Sequence, residues 1–425
     1  MLDIRLIRED PKLVKDNLKK KFQKEKFKFV DDVISRDEEW RRNKTQVDKL
    51  RAERNKVSKE ISLAKKEKKD VKALMKRAKE IPGKIVKLEG KSRKLREEID
   101  KLMIQIPNII SKKTPIGKDE GKNKVISKWG NIPKIPWVKN HVELVEELGL
   151  ADFDASAKVS GNGFYYLKND LALLNQALIR FAIDFMNRKG YEYIETPLML
   201  NEKSLYASMD REEIGDSVYV IKDYDLGLIG TAEQSLLAMH SSEAIPGESL
   251  PKKYFSYSMC FRKEIGSHGI NEKGLWRTHQ FNKIEQFIFC RPEDSEKFYE
   301  ELLKNSEKIM QSLGLPYRVV EFCSGALSNW KHRSADIEVY RPTTKSYGEV
   351  ISLSNCTDYQ ARKLGIKFID KSGERKVIHT LNNTALATSR IMVAILENYQ
   401  QKDGTVKVPD VLQKYMFGKK VIGGK

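Results

Sequence analysis

Two arginines and two glutamates bracket a loop in the middle of this chain. Phe261-Arg262-Lys263-Glu264 opens it, and Arg277-Thr278-His279-Gln280-Phe281-Asn282-Lys283-Ile284-Glu285 closes it. A guanidinium is a planar fork that grips phosphate or carboxylate oxygens through two parallel hydrogen bonds. A carboxylate accepts hydrogen bonds from amino groups and hydroxyls. Arg262 and Arg277 can therefore bind phosphate oxygens, and Glu264 and Glu285 can accept from amino groups or a hydroxyl. Tyr257 to Arg262 and Phe281 to Phe289 are rich in strand-forming residues, with Gly, Ser, Asn and Lys between them. That spacing predicts an antiparallel hairpin whose loop reaches over a pocket.

Three further segments carry polar residues in strand or turn settings. Leu228-Ile-Gly230-Thr231-Ala232-Glu233 ends in a hydroxyl and a carboxylate, either of which accepts from an ammonium. Thr231 is equally placed to cap a helix over Ala232–His240. Tyr347-Gly-Glu349-Val350-Ile351-Ser352 leads into Leu-Ser-Asn-Cys-Thr-Asp-Tyr-Gln-Ala-Arg and reads as a strand. His379-Thr-Leu-Asn382-Asn-Thr384 leads to Ser389-Arg390 and an apolar helix over Ile391–Tyr399. A cation at a helix start opposes the dipole, so Arg390 makes most sense beside a bound anion.

The elements that must position these groups are legible from composition. At 425 residues the chain accommodates two or three domains. No apolar run approaches the roughly 20 residues of a membrane helix, and the N-terminus begins amphipathic rather than as a signal peptide. Cys260, Cys290, Cys323 and Cys356 are far apart. That spacing points to free thiols in a reducing cytoplasm and against a cysteine-clustered zinc site. The net charge is +19, of which residues 36–105 supply +11 from 24 basic and 13 acidic side chains. A basic excess gathered on one segment suits a polyanionic partner.

That segment is predicted helical over 31–106. Val47, Leu50, Val57, Ile61 and Ala64 form one seam, interrupted by Arg54. Leu74, Ala78, Ile81, Ile85, Leu88, Ser92, Leu95, Ile99, Leu102 and Ile106 form the other, at heptad a and d spacing. Lys65 to Asp70 holds no apolar side chain and reads as the turn of an antiparallel coiled coil. Pro82 is expected to bend the second helix without breaking it. Pro107, Pro115, Pro133 and Pro136, with three glycines, mark 107–140 as a connection. Leu171 to Lys189 is helical in period and stops at Gly190, and a strand interrupted by Pro197 follows.

The Phe-Arg-x-Glu, loop, Arg-x-His-Gln-Phe-x-Lys-x-Glu pattern closely resembles motif 2 of the seryl-tRNA synthetase family. The basic helical hairpin resembles that family's N-terminal arm, which grips the long variable arm of tRNA-Ser, so the resemblance covers nearly the whole chain. The unit around Pro197 resembles motif 1, the dimer seam of class II synthetases, and the segment ending at Arg390 resembles motif 3. Two positions depart from common family usage: Gly230 stands where many members have proline, and Ser389 where many have glycine.

The resemblance implies an α+β fold, with an antiparallel α-helical coiled-coil arm and a class II catalytic domain built on an antiparallel β-sheet flanked by helices. It divides the chain into 1–110, a linker at 111–140, and a catalytic core at 141–425. It implies a cytoplasmic, homodimeric ligase that activates L-serine with ATP and charges tRNA-Ser, with tRNA-Sec as a further candidate acceptor. Arg262 and Arg390 are the implied catalytic residues. Thr231, Ala232, Glu233, Arg262, Glu285, Asn382 and Thr384 would bind serine. Arg262, Lys263, Glu264, Arg277, Thr278, Phe281, Glu349, Val350, Ile351, Ser352 and Arg390 would bind ATP, with Mg²⁺ on Glu349 and Ser352 and no zinc. Two other readings remain: an enzyme that activates an amino acid for a carrier protein or small metabolite, and a non-catalytic RNA-binding or structural relative. The basic arm argues against the first and the full set of charged motif residues against the second.

Overall fold

The computed structural model describes residues 1–209, 215–265 and 273–423. The chain forms two compact units, one of residues 2–107 and one of Met1 with 108–425.

In the first unit, α1 (Ile4–Glu9) and α2 (Pro11–Lys20) precede two long helices, α3 (Phe27–Lys66) and α4 (Lys72–Gln105). At 1.5 Å per residue the 40-residue α3 extends about 60 Å. Val47, Val57, Ile81 and Ile85 are buried between α3 and α4, with Leu50, Ile61, Leu74, Ala78 and Leu88 packed on them. Toward the end of α4 the expected Leu102 gives way to Met103, which is 2% exposed. An undistorted helix drifts against a strict seven-residue repeat, so the seam passes to the next residue. Cross-helix pairs flank the seam: Arg36–Glu98 at 2.8 Å, Arg51–Glu89 at 2.7 Å, Arg77–Glu53 at 2.6 Å and Lys91–Glu39 at 2.6 Å. Pro82 lies inside α4, which runs through it. At the base, Asp37 is 1% exposed and accepts both Arg8 (2.6 and 2.7 Å) and Arg41 (2.9 Å). Burial pushes its pKa up, but the two guanidinium groups prevail and hold it below the usual range.

The second unit is built on an eight-stranded sheet. Its strands in chain order are β1 (Lys124–Trp129), β2 (Glu192–Tyr193), β3 (Lys252–Phe261), β4 (Gln280–Cys290), β5 (Tyr317–Glu321), β6 (Arg333–Arg341), β7 (Ser346–Thr357) and β8 (His379–Ala387). Their spatial order is β1-β5-β6-β7-β8-β4-β3-β2. Every pairing is antiparallel except β2 with β3. Among the helices packed on it are α5 (Asn169–Arg188), α6 (Ala232–Ala238), α7 (Ser295–Ser312) and α8 (Thr388–Asn398). Leu171, Leu174, Leu178 and Phe181 bury one face of α5, and Phe298, Tyr299, Leu302 and Ile309 bury one face of α7, in a core shared with the sheet.

One segment differs from its reading as a linker. Residues 124–129, within the expected 111–140 connection, form β1 and pair with β5 at the sheet edge. All six are exposed, so no alternation of buried and exposed side chains marked the strand. The β3–β4 hairpin forms as predicted. The middle of its loop, 266–272, where a reach over the pocket was expected, lies outside the described residues.

Candidate active site

Strand alternation sets the floor of the site. In β4, Ile284, Ile288 and Cys290 enter the core under the helices, and Gln286 donates to Ser306 on α7 at 3.0 Å. Lys283 and Glu285 therefore project from the opposite face, where they line a cavity of about 260 Å³. In β8, Asn383 donates to Leu302 O and to Ser306, both at 2.8 Å, so its neighbours Asn382 and Thr384 line the cavity. Simple alternation would place Glu349 and Ser352 on opposite faces. A bulge resolves this: Ile337 pairs with Ile351 and Glu338 with Glu349, leaving Val350 as the extra residue. Glu349 and Ser352 then both line the cavity.

The floor is acidic and nearly dry. Glu285 is 2% exposed and accepts from the Thr231 hydroxyl at 3.0 Å, with the Lys283 ammonium at 3.3 Å. Thr231 also caps α6 by accepting from Glu233 N at 3.3 Å while lining the cavity, so the capping reading holds. The expected helix end at His240 falls earlier, at Ala238. Glu233 accepts from Gln360 at 2.7 Å and Asn382 at 2.9 Å. Burial, followed by the charge of Glu285, pushes Glu233 up to about 7 against the opposing pull of Gln360, Lys283 and Lys331.

The other end of the cavity is cationic. Arg262 follows β3, and its Nε donates to Gly230 O at 3.1 Å while its guanidinium lies 5.3 Å from the Phe281 ring centre. A Cβ at Gly230 would meet Arg262 at 3.7 Å, an ordinary contact, so there is room for a Cβ there. Arg277 pairs with Glu264 at 2.8 Å. Arg390, on the first turn of α8, donates to Glu349 O at 2.9 Å, to Glu349 Oε2 at 3.1 Å and to Trp276 O at 3.2 Å. Partial burial opposes ionisation of Glu349, whose side chain is still 46% exposed, but the Arg390 guanidinium outweighs it and leaves the pKa below the usual range.

The Trp276 ring lies between Arg341 at 4.3 Å and Arg390 at 5.6 Å. Gly348 makes room for it, since a Cβ there would sit 2.4 Å from the ring. Glu397 anchors Arg341 at 2.8 Å. Leu275 N donates to His141 Nε2 at 3.1 Å, tying the loop's return to the body.

Thr231, Glu233, Arg262, Glu264, Arg277, Thr278, Phe281, Glu285, Glu349, Val350, Ser352, Asn382, Thr384, Ser389 and Arg390 all line this one cavity. Three expected residues do not bring side chains to it. Ile351 is 1% exposed in the helix-side core, Ala232 is buried at the start of α6, and the Lys263 ammonium lies over the Tyr219 ring at 5.8 Å. Trp276, Lys283, Lys331 and Ser354 line it without having been singled out. Lys283 carried a signal, one alternation step from Glu285. Lys331 carried none, because it sits in a loop. Among the described residues no group of three or more His, Cys, Asp or Glu is placed to hold a metal ion. The oxygen set of Glu349 and Ser352 fits a cation that takes its remaining ligands from phosphate and water.

A tRNA synthetase class II core domain model (G, H, P, S and T) matches residues 219–399, and a seryl-tRNA synthetase N-terminal domain model matches 1–110. The serine--tRNA ligase of Methanocella arvoryzae is 44% identical over 98% of this chain and 99% of its own length. That of Pyrococcus horikoshii is 43% identical over 99% and 98%. The crystal structure of the P. horikoshii seryl-tRNA synthetase complexed with ATP superposes with a TM-score of 0.94, covering 99% of both chains at 43% identity. The cytoplasmic serine-tRNA ligase of Naegleria fowleri in complex with AMP gives 0.89 at 34% identity, over 99% of this chain and 98% of that one. With its arm, its class II core and full-length relatives at this identity, the chain belongs to the seryl-tRNA synthetase family, the ligases that activate serine with ATP and charge tRNA.

Proposed function

We propose that serine binds at the acidic floor and ATP at the arginine end of the one cavity, so that the serine carboxylate meets the α-phosphate beside Arg262. The observation that carries this reading is the continuity of the two ends: Glu233 and Glu285 line the same cavity as Arg262, Arg277 and Arg390. The serine carboxylate is ionised near neutral pH and needs no general base. Its oxygen bonds to the α-phosphorus as the bond to the β-phosphate oxygen breaks and pyrophosphate leaves. An anion must approach a polyanion, so catalysis is positioning and charge stabilisation. Arg262 bridges the two reacting groups. Glu264 and the Thr278 backbone hold adenine, which stacks between Phe281 and Arg390. Arg277 and Arg390 bind the phosphate tail. Glu349 and Ser352 would hold Mg²⁺, which when bound neutralises phosphate charge.

Glu233 and Glu285 accept the ammonium and hydroxyl of serine, and Thr384 and Asn382 complete the pocket. Alanine, lacking the hydroxyl, would leave these polar groups unpaired. The terminal ribose hydroxyl of tRNA then attacks the acyl carbon, and AMP leaves. The basic α3–α4 hairpin grips tRNA-Ser through shape and phosphate contacts, in a homodimer joined at the strand beside Pro197. Among the described residues no helix is long and apolar enough to cross a membrane. Serine-dependent exchange of pyrophosphate into ATP, followed by serine charging of tRNA, tests the reading. Exchange that does not depend on serine would refute it.

A further inference from the structure

We propose that Lys331 is a further catalytic cation of this site, contacting the α-phosphate oxygens of ATP where the acyl-phosphate bond forms, and that residues 108–111 position it. The proposal rests on the reading of the cavity as the serine and ATP site.

Lys331 lines the cavity and is half-buried. Its Nζ donates to Ser334 Oγ at 3.3 Å, and among the described residues it forms no salt bridge. The Nζ also lies over the Phe322 ring at 5.8 Å, so a ring face and a hydroxyl hold the ammonium and an arriving anion can still pair with it. It shares the cavity wall with Glu233 on the acidic floor and with Glu349 and Ser352 at the cationic end. The substrate groups lying between those ends are the serine carboxylate and the α-phosphate. Of the two, the phosphate carries the charge that a mobile point cation suits.

The loop that carries Lys331 is fixed on both sides. Asn108, 3% exposed, donates through N to Asn329 O at 2.7 Å and through Nδ2 to Trp330 O at 3.1 Å and Cys356 O at 2.9 Å. Ser111 N donates to His332 O at 2.8 Å, and His332 Nδ1 donates to Ile109 O at 2.7 Å. Trp330 packs with Cys356 and Tyr359. The backbone before and after Lys331 therefore has little freedom, which aims a side chain whose own stem is flexible.

The test is serine-dependent pyrophosphate exchange with Lys331→Met, Lys331→Arg and Lys331→Cys, with melting temperature measured alongside. Losing one charge-assisted hydrogen bond should lower kcat/KM for ATP by about tenfold or more, with the melting temperature held and Lys331→Arg partly active. The four native cysteines are all buried, so in Lys331→Cys the introduced thiol is the one open to bromoethylamine. Alkylation rebuilds an ammonium of nearly the same reach and should restore exchange. Asn108→Ala should lower exchange in the wild type but add little to Lys331→Met, because a positioning residue acts through the group it positions. Exchange within threefold of wild type in Lys331→Met, or no recovery on alkylation, would overturn the proposal. So would a loss confined to tRNA charging, which would place Lys331 at the RNA terminus. Wild-type protein without serine-dependent exchange would overturn the site reading as well.

Discussion

Glu233 should make serine binding depend on pH in the neutral range. Its carboxyl is pushed up to about 7 by burial and by Glu285, and a cationic ammonium binds best when it is ionised. At pH 6 roughly a tenth of the free protein carries the ionised group, and at pH 8 roughly nine tenths, so KM for serine should fall about tenfold between them. The stability of the free protein should move oppositely. A carboxyl whose folded pKa lies above its ordinary value contributes least once ionised, so stability declines as pH rises from that ordinary value through about 7. Glu233→Gln keeps a hydrogen-bonding amide between Gln360 and Asn382 but cannot titrate. It should raise KM at pH 8 toward the pH 6 value of the wild type and flatten the profile. Serine-dependent exchange between pH 6 and 8 measures both. A flat wild-type profile, or a Glu233→Gln profile with the wild-type slope, would show that Glu233 does not carry the ammonium's counter-charge.

Arg262→Ala should reduce exchange by about 2.7–4 kcal/mol of transition-state stabilisation, and Arg262→Lys should recover little; a variant within threefold of wild type would mean the site is misplaced. Glu285→Ala should cost roughly 1.5–3 kcal/mol in serine use and narrow the preference over alanine, read by exchange with both amino acids; an unchanged preference in a folded variant removes Glu285 from recognition. Replacing Thr45 to Lys91 by a short linker, which spares the Arg8–Asp37 pair at the base, should leave exchange intact and abolish tRNA charging. In the intact chain, charging should weaken as salt rises. Arg8→Ala should make the first unit unfold at a higher pH on acidification, because the lowered pKa of Asp37 adds stability above its ordinary range that is lost as pH falls through the folded value; an unchanged acid midpoint by circular dichroism would refute that coupling.

The sequence disclosed what depends on residue type and short-range period. The α3–α4 hairpin, its turn and most of its seam follow from apolar spacing, and the β3–β4 hairpin from strand formers around a polar loop. What escaped depends on three-dimensional context. β1 carries no buried face, so it looked like linker. Trp276 and Lys331 reach the cavity through loop conformation, which single-sequence spacing does not encode. The bulge at Val350 was equally silent, although it is what lets Glu349 and Ser352 share a wall.

The alternation along β4 has a consequence for which changes the strand tolerates. Cavity lining and architecture are written in the same strand, one residue out of phase. Lys283 and Glu285 face the cavity, while Ile284 sits in the core and Gln286 is locked into Ser306 and Asn305. A point substitution at 285 alters one and leaves the other untouched. A one-residue shift in the strand that no bulge absorbed, unlike the one at Val350, would exchange the two sets, burying charges in the helix-side core and presenting isoleucine to the cavity.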